Sequence, residues 1–154
     1  MKIEIRKAGI GQVRDIQALV NASAGQGLML PRALSDLYEY IRDFFVAVDS
    51  DTGAVIGACA LHVCWESLGE VRSLVVDPAY QRHGVGRDLV RHCIREAREL
   101  GLSQLFALTY VPGFFRKLGF EDYPKEKLPH KVWSDCIKCH KFPDCDENAV
   151  AMNL

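Results

Sequence analysis

The stretch from Val75 to Arg87 constrains the fold more than any other part of the chain. Val75 and Val76 end an apolar run, a short loop with Gly84 and Gly86 follows, and a helical pattern begins at once. The first amides of a helix have no intrahelical partners, and the helix dipole favours negative charge beside them. The sequence therefore predicts an α/β domain in which a strand-to-helix loop binds an anion.

The helix that follows this loop is strongly amphipathic. Apolar residues recur along it at intervals of three and four, and arginines occupy the opposite side. Its apolar face comprises Val85, Leu89, Val90, Cys93, Ile94, Ala97 and Leu100. Gly101 is the expected C-terminal stop, because glycine readily adopts the left-handed conformation that ends many helices.

The segments before this helix predict two further helices and a sheet. An alternating strand begins at Ile3, and helical patterns begin at Val13 and Leu34. Turn signals at residues 51–53 and 67–69 then separate three consecutive strands, which predict an antiparallel meander. These strands are Phe44–Val48, Ala54–Trp65 and Glu70–Val76.

After the amphipathic helix, the pattern predicts one more strand, a short helix and a final extended segment. They are Gln104–Thr109, Pro112–Leu118 and the residues from Phe120 onward. The predicted fold class is α/β (α+β), a single domain with a mixed central sheet and about four flanking helices. We expect residues 1–125 to form its core and residues 126–154 to form a C-terminal arm packed on the same domain.

Composition excludes several classes of protein. A chain of 154 residues has room for one ordinary domain. Lys plus Arg is 19 against 20 for Asp plus Glu, so the net charge of −1 gives no electrostatic footprint for nucleic acid. No apolar stretch approaches the ~20 residues that a membrane-spanning helix needs. The first six residues lack the apolar region of a signal peptide, so we expect a cytoplasmic protein.

The six cysteines fall into two groups. Three lie inside apolar runs and are expected to be buried and reduced: Cys59, Cys64 and Cys93. Cys136, Cys139 and Cys145 offer thiolates for zinc, but this spacing gives an incomplete ligand set. Reduced thiols or a disulfide are the alternatives, and we expect catalysis to need no metal.

The predicted anion loop reads Gln-x-x-Gly-x-Gly. Its two glycines let a pyrophosphate approach main-chain N–H groups without interference from a Cβ atom. The spacing is neither that of a P-loop nor that of the dinucleotide fingerprint, and no Lys-Ser/Thr pair follows the glycines. The candidate binding residues are Gln81, Arg82, His83, Gly84, Val85, Gly86 and Arg87.

With the later run Phe-Phe-Arg-Lys-Leu-Gly-Phe at residues 114–120, the chain resembles the GNAT superfamily of acetyltransferases. The resemblance implies that the loop binds the pyrophosphate of acetyl-CoA. It also implies that the parallel strands Glu70–Val76 and Gln104–Thr109 splay apart. Main-chain groups of Leu74, Val75 and Val76 would then hydrogen-bond the pantetheine arm like an added strand.

The same resemblance suggests catalytic residues. A glutamate on this strand commonly acts as the general base through water in GNAT enzymes, and Glu70 is the matching residue. The family's usual general acid is a tyrosine, but Phe115 occupies that position and has no proton to give. Thr109, Tyr110 or water are the candidate substitutes.

Other segments resemble the acetyltransferase domain of bacterial N-acetylglutamate synthases, in a short form without the kinase domain: residues 24–32, 69–71 and 104–109. In those enzymes a Leu-x-Arg element binds a carboxylate of glutamate, and Arg32 matches its arginine. An Arg-x-Ser element of the C-terminal arm supplies a second cation. The nearest match here is Lys138-Cys139-His140, a departure from that pattern, and Lys131 is the other candidate.

The resulting hypothesis is acetyl-CoA-dependent N-acetylation of L-glutamate, a step of arginine biosynthesis. One alternative is a GNAT enzyme that acetylates another small amine or a protein amine. The other is a non-catalytic acetyl-CoA sensor, which the Phe115 substitution favours. The expected partner is a small amino-acid substrate, with no nucleic acid or membrane, and a homodimer is left open.

Overall fold

The computed structural model describes residues 2–129 and 147–154, which form a seven-stranded sheet with helices on both faces. The strands are β1 (Ile3–Lys7), β2 (Phe44–Asp49), β3 (Val55–Trp65), β4 (Leu68–Val76), β5 (Gln104–Thr109), β6 (Glu121–Asp122) and β7 (Asn148–Asn153). The α-helices in the described ranges are α1 (Val13–Gly25), α2 (Leu34–Glu39), α3 (Val85–Leu100) and α4 (Pro112–Arg116). The strand order is β1-β2-β3-β4-β5-β7-β6.

The two faces of the sheet carry separate hydrophobic clusters. Helix α3 packs its apolar face on one side of the sheet, where Leu89 and Cys93 share a hydrophobic cluster with Leu61 and Val71. Helices α1 and α2 cover the other side. Their cluster contains Val13, Ile16, Val20, Leu37, Ala58, Ala60 and Val75. The predicted fold class, including its mixed sheet and its number of helices, is confirmed.

The parallel strands β4 and β5 separate partway along the sheet. They pair only from Leu68 with Gln104 to Glu70 with Phe106, whereas β4 continues to Val76. The β5-facing edge of β4 beyond Glu70 therefore lies outside the ladder between these two strands. This is the splay that the family resemblance implied.

A β-bulge interrupts β4 just after this point. Ala60 of β3 pairs with Arg72, and Ala58 pairs with Val75. Two residues of β3 are therefore matched by three residues of β4. The extra residue is accommodated at Ser73, whose φ of 58° lies in the left-handed region. The bulge reverses which face each later β4 side chain occupies.

Some predicted boundaries differ from the structure. The turn before β4 is at Glu66 and Ser67 rather than at residues 67–69, so the strand begins at Leu68. Helix α4 ends at Arg116 rather than at Leu118. The sequence patterns did not predict β7, which pairs with both β5 and β6. The division of the chain at residue 125 stays a prediction.

Within the described ranges, none of the helices has the length and apolar character needed to cross a lipid bilayer.

Candidate active site

The N-terminus of α3 has the geometry of an anion site. Gly84 has a φ of 75° at the N-cap, and its carbonyl accepts the helical hydrogen bond from the Asp88 N–H at 3.0 Å. The amides of Val85, Gly86 and Arg87 precede that bond in the helix, so they can donate to a bound anion. A Cβ atom at Gly86 would lie 3.5 Å from the Phe114 ring, which is an ordinary van der Waals distance.

The basic side chains around this N-terminus are exposed. Gln81, Arg82 and His83 project from the loop, and Arg82 itself has a φ of 70°. The Arg87 Nε donates to Asp88 Oδ1 at 3.2 Å, and its guanidinium lies close to Gly84. The Asp88 carboxylate therefore offsets part of the Arg87 charge. The backbone amides at the start of α3 have no such partner side chain, so we expect them to contribute more to anion binding than Arg87 does.

A partly buried hydrogen bond anchors the loop to the sheet. The Tyr80 hydroxyl donates to Asp49 Oδ2 at 2.7 Å, at the end of β2. This bond, followed by the donation from the Asp51 amide, holds the pKa of Asp49 below its usual value. The same bond raises the pKa of Tyr80. The start of the anion loop is therefore fixed to the far end of a core strand.

Glu70 lies at the last pairing position before the splay. Its side chain is 12% exposed, and its Oε1 is 3.5 Å from Nη1 of Arg72 on the same strand face. His62 of β3 is directly opposite Glu70 in the strand register. The His62 Nδ1 and Asp43 Oδ2 form a hydrogen bond of 2.8 Å, and the ring of Tyr40 meets His62 edge-on at 5.2 Å.

Arg32 approaches these residues from the loop before α2, and we call the region between Arg32 and Glu70 the cleft. Its Nη1 donates to the Ser73 hydroxyl at 2.7 Å, at the β4 bulge. Burial, and next the positive charge of Arg72, hold the pKa of the Arg32 guanidinium below its usual range. The structure thus brings Arg32 and Glu70, which are 38 positions apart in sequence, to one cleft beside the splay.

The candidate general acids differ in their surroundings. Thr109 is buried at the end of β5, and its hydroxyl oxygen accepts the Val111 N–H at 2.9 Å. Phe115 is buried in the core, with its ring edge-on to the rings of Phe114 and Phe120. Tyr110 is partly buried beside Thr109. The roles assigned to Glu70 and Thr109 stay predictions.

Four residues of the cleft were not singled out from the sequence as binding residues: Tyr40, Asp43, Arg72 and Ser73. Arg72 had an available signal, because residues two apart on a strand share a face and Glu70 was already a candidate. The bulge at Ser73 and the Asp43–His62 contact had no signal in the sequence.

Lys131, Lys138 and the three late cysteines lie outside the described residues. Within the described ranges, no cluster of three His, Cys, Asp or Glu side chains is arranged to hold a metal ion.

Comparison with known proteins matches residues 17–120 to the acetyltransferase (GNAT) family. The fold and site define an acetyl-CoA-dependent N-acetyltransferase. The chain belongs to the GNAT family.

Three relatives are similar over most of this chain. An uncharacterized N-acetyltransferase of Chlorobaculum tepidum is 38% identical over 150 residues, covering 97% of this chain and 96% of the relative. The amino-acid acetyltransferase of Mycobacterium tuberculosis is 36% identical over 137 residues, covering 88% of this chain and 78% of the relative. A Neisseria meningitidis amino-acid acetyltransferase is 35% identical, but this chain spans only 29% of its length.

Solved structures agree with these relationships. A Mycobacterium tuberculosis protein crystallised with CoA and NLQ superimposes with a TM-score of 0.84 at 32% identity, covering 98% of this chain and 99% of that one. The N-acetylglutamate synthase of Neisseria gonorrhoeae, complexed with coenzyme A and N-acetyl-glutamate, gives a TM-score of 0.89 at 28% identity. That match covers all of this chain and 35% of the synthase chain.

Proposed function

We propose that this enzyme transfers the acetyl group of acetyl-CoA to the α-amine of L-glutamate. The observation that carries the proposal is the position of Arg32, a partly buried guanidinium held at the β4 bulge beside Glu70. A planar guanidinium binds a carboxylate with two parallel hydrogen bonds, so Arg32 suits an acidic amino acid. The names of the Mycobacterium and Neisseria relatives support an amino-acid substrate.

In this proposal the anion loop and the splayed strand hold acetyl-CoA. The amides of Val85, Gly86 and Arg87 bind the pyrophosphate, with Gln81, Arg82 and His83 at the rim. The backbone of Leu74, Val75 and Val76 binds the pantetheine arm along the edge of β4 that diverges from β5. A main-chain N–H of this segment would stabilise the negative charge that develops on the thioester oxygen.

Glu70 acts as the general base in this mechanism. It removes a proton from the ammonium group of glutamate through a water, and the free amine attacks the thioester carbon. After the attack the nitrogen carries a positive charge, and it releases its second proton to solvent as the carbon–sulfur bond breaks. The CoA thiolate takes up a proton from solvent, directly or through Thr109 or Tyr110, whose hydroxyl is then reprotonated by solvent. N-acetylglutamate and CoA are released, and the Glu70 proton passes to water.

The second carboxylate of glutamate needs a cation or donors of its own, because a desolvated carboxylate without them is costly. Lys131 and Lys138 stay predicted candidates from the C-terminal arm. An enzyme with this activity would serve arginine biosynthesis in the cytoplasm.

A substrate panel tests the proposal. We expect kcat/KM, followed as free-thiol release from acetyl-CoA, to be highest for L-glutamate among glutamate, glutamine, aspartate and lysine. Arg32→Ala should raise the KM for glutamate or abolish turnover while acetyl-CoA still binds, and Arg32→Lys should recover only part of the loss. A panel in which lysine or a neutral amine ranks first would overturn the glutamate assignment.

A further inference from the structure

His62 and Asp43 form a hydrogen-bonded pair beside the cleft. The His62 Nδ1 lies 2.8 Å from Asp43 Oδ2, and the two side chains are 20% and 24% exposed. An ionised carboxylate can only accept hydrogen bonds, so the contact assigns the proton of the neutral imidazole to Nδ1. The basic lone pair of His62 is therefore on Nε2.

This Nε2 atom is accessible to solvent. Among the residues that the structure describes, the bond to Asp43 is the hydrogen bond that the imidazole makes. In the same part of the chain, no buried side-chain nitrogen or oxygen lacks a hydrogen-bond partner, so the unbonded Nε2 is not a buried atom. The ring of Tyr40 packs edge-on against the imidazole, with 5.2 Å between the ring centres, and limits its rotation. His62 thus offers a basic nitrogen whose orientation is fixed from the other side of the ring.

The strand register brings His62 close to the amine of the proposed mechanism. His62 of β3 pairs directly with Glu70 of β4. Side chains that are opposite each other on antiparallel strands share a face, with Cβ atoms about 4.5–5.5 Å apart. An amine that Glu70 deprotonates through a water therefore lies within reach of His62, directly or through one more water.

Acetylation of an ammonium group releases two protons, and the mechanism above gives a protein acceptor only to the first. Glu70 takes that proton before the attack and holds it until the products leave. The nitrogen becomes positively charged again when it attacks the thioester carbon, and a carboxylic acid that already carries a proton cannot take another. The second proton needs a different acceptor on its way to solvent.

We propose that His62 is this acceptor. As the carbon–sulfur bond breaks, the proton moves from the attacking nitrogen to His62 Nε2, and the electron pair of the N–H bond stays on the nitrogen. The ring becomes an imidazolium, and Asp43 offsets its charge through the bond to Nδ1. The proton then passes from Nε2 to solvent. The inference rests on the proposed function for the position of the amine beside Glu70, but it does not require that the amine is glutamate.

The first arm of the test compares His62→Asn with wild type, using the amine that the substrate panel ranks first. The asparagine amide can still donate to Asp43 in place of Nδ1, but the base at Nε2 is lost. We expect kcat to fall about 10²-fold, the lower end of what general acid–base catalysis contributes, because water remains as an acceptor. The KM for the amine and the acetyl-CoA affinity measured by calorimetry should stay close to wild type.

His92→Asn is the matched control. The Nδ1 of His92 also makes a bond of 2.8 Å, to the carbonyl oxygen of Asp88, and its ring also meets an aromatic ring edge-on, that of Phe45. His92 belongs to α3, on the opposite face of the sheet from the cleft. Its replacement should leave kcat unchanged.

The second arm distinguishes a proton acceptor from a side chain that only fills space. Free imidazole should restore part of the kcat of His62→Asn in proportion to its concentration, and it should not accelerate the wild type or His92→Asn. Pyrazole has the same ring size but is a much weaker base, so it should restore little. If His62→Asn does not fold, Asp43→Asn is measured instead. Its amide can hold the imidazole with the proton on either nitrogen, so kcat should fall about tenfold with acetyl-CoA affinity unchanged.

The outcomes separate this inference from the proposed function. A folded His62→Asn enzyme with wild-type kcat overturns the inference, and so does equal restoration by pyrazole and imidazole. If His62→Asn does not fold, a wild-type kcat for Asp43→Asn overturns it. If the panel ranks an amine other than glutamate first, while His62→Asn loses kcat with that amine and imidazole restores it, the glutamate assignment fails and the role of His62 stands.

Discussion

Val71 and Val75, four residues apart on β4, pack on opposite faces of the sheet. Val71 lies in the cluster beneath α3, whereas Val75 lies in the cluster beneath α1 and α2. In a regular strand residues four apart share a face, so the reversal is a consequence of the bulge at Ser73. The same bulge interrupts the β3–β4 ladder, and its residue Ser73 carries the hydroxyl that accepts a hydrogen bond from Arg32.

The positive φ of Ser73 predicts a difference between two small substitutions. Ser73→Ala and Ser73→Gly both remove the hydroxyl that accepts from Arg32, so both should raise the glutamate KM to a similar extent. The glycine variant has no Cβ at φ 58° and should be the more stable of the two by about 1 kcal/mol. Urea unfolding and steady-state kinetics on the pair measure these effects separately. Equal stability of the two variants would contradict the argument from backbone strain.

Acetyl-CoA binding should depend on the bulk at the start of α3. Gly86→Val should weaken binding at least tenfold, about 1.4 kcal/mol, because a branched side chain beside the first amides of α3 obstructs the approach of the pyrophosphate. Gly84→Val should also weaken binding, because φ at Gly84 is 75°. Arg87→Ala should do less, since Arg87 is exposed and paired with Asp88. Gly25→Ala, at the open end of α1, is the control for calorimetry.

Removal of the proposed base should affect turnover and not binding. Glu70→Gln should lower kcat by about 10²–10⁴, because general-base catalysis contributes that much, and should leave acetyl-CoA affinity intact. Glu66→Gln is the matched control, since Glu66 is exposed in the turn four residues earlier. A wild-type kcat for Glu70→Gln across neutral pH would remove Glu70 from the mechanism.

The Tyr80–Asp49 hydrogen bond predicts a pH dependence of stability. The folded pKa of Asp49 lies below its ordinary value of 3.8, so its stabilisation is present above pH 3.8 and is lost as pH falls through the folded value. Tyr80→Phe removes the main cause of that shift. The variant should be less stable than wild type at neutral pH, and the difference should shrink below pH 3.8. Thermal unfolding against pH measures it, with the exposed Tyr38→Phe as control.

The anion loop and its helix were predicted from the sequence because their signals are local. The glycines, the apolar period of α3 and its end at Gly101 depend on backbone conformations that neighbouring residues determine. The same holds for β5, whose predicted limits match the structure. Acetyl-CoA as cosubstrate followed from these local motifs and the family resemblance that they carry.

The arrangement of the candidate acceptor site depends on the tertiary structure. Glu70 and Arg32 were each selected from the sequence. Their proximity in space depends on how α2 packs on the sheet and on a bulge that no local sequence signal predicted. Arg72 likewise lies beside neighbours that only the fold supplies: Tyr40 from the segment after α2 and Arg32 from the loop before it. Strand β7 was missed because its short run of small residues is stabilised by pairing with β5 and β6, which are distant in sequence. The sequence determined the elements and the cosubstrate loop through local conformational preference, whereas long-range pairing and burial assembled the charges of the candidate acceptor site.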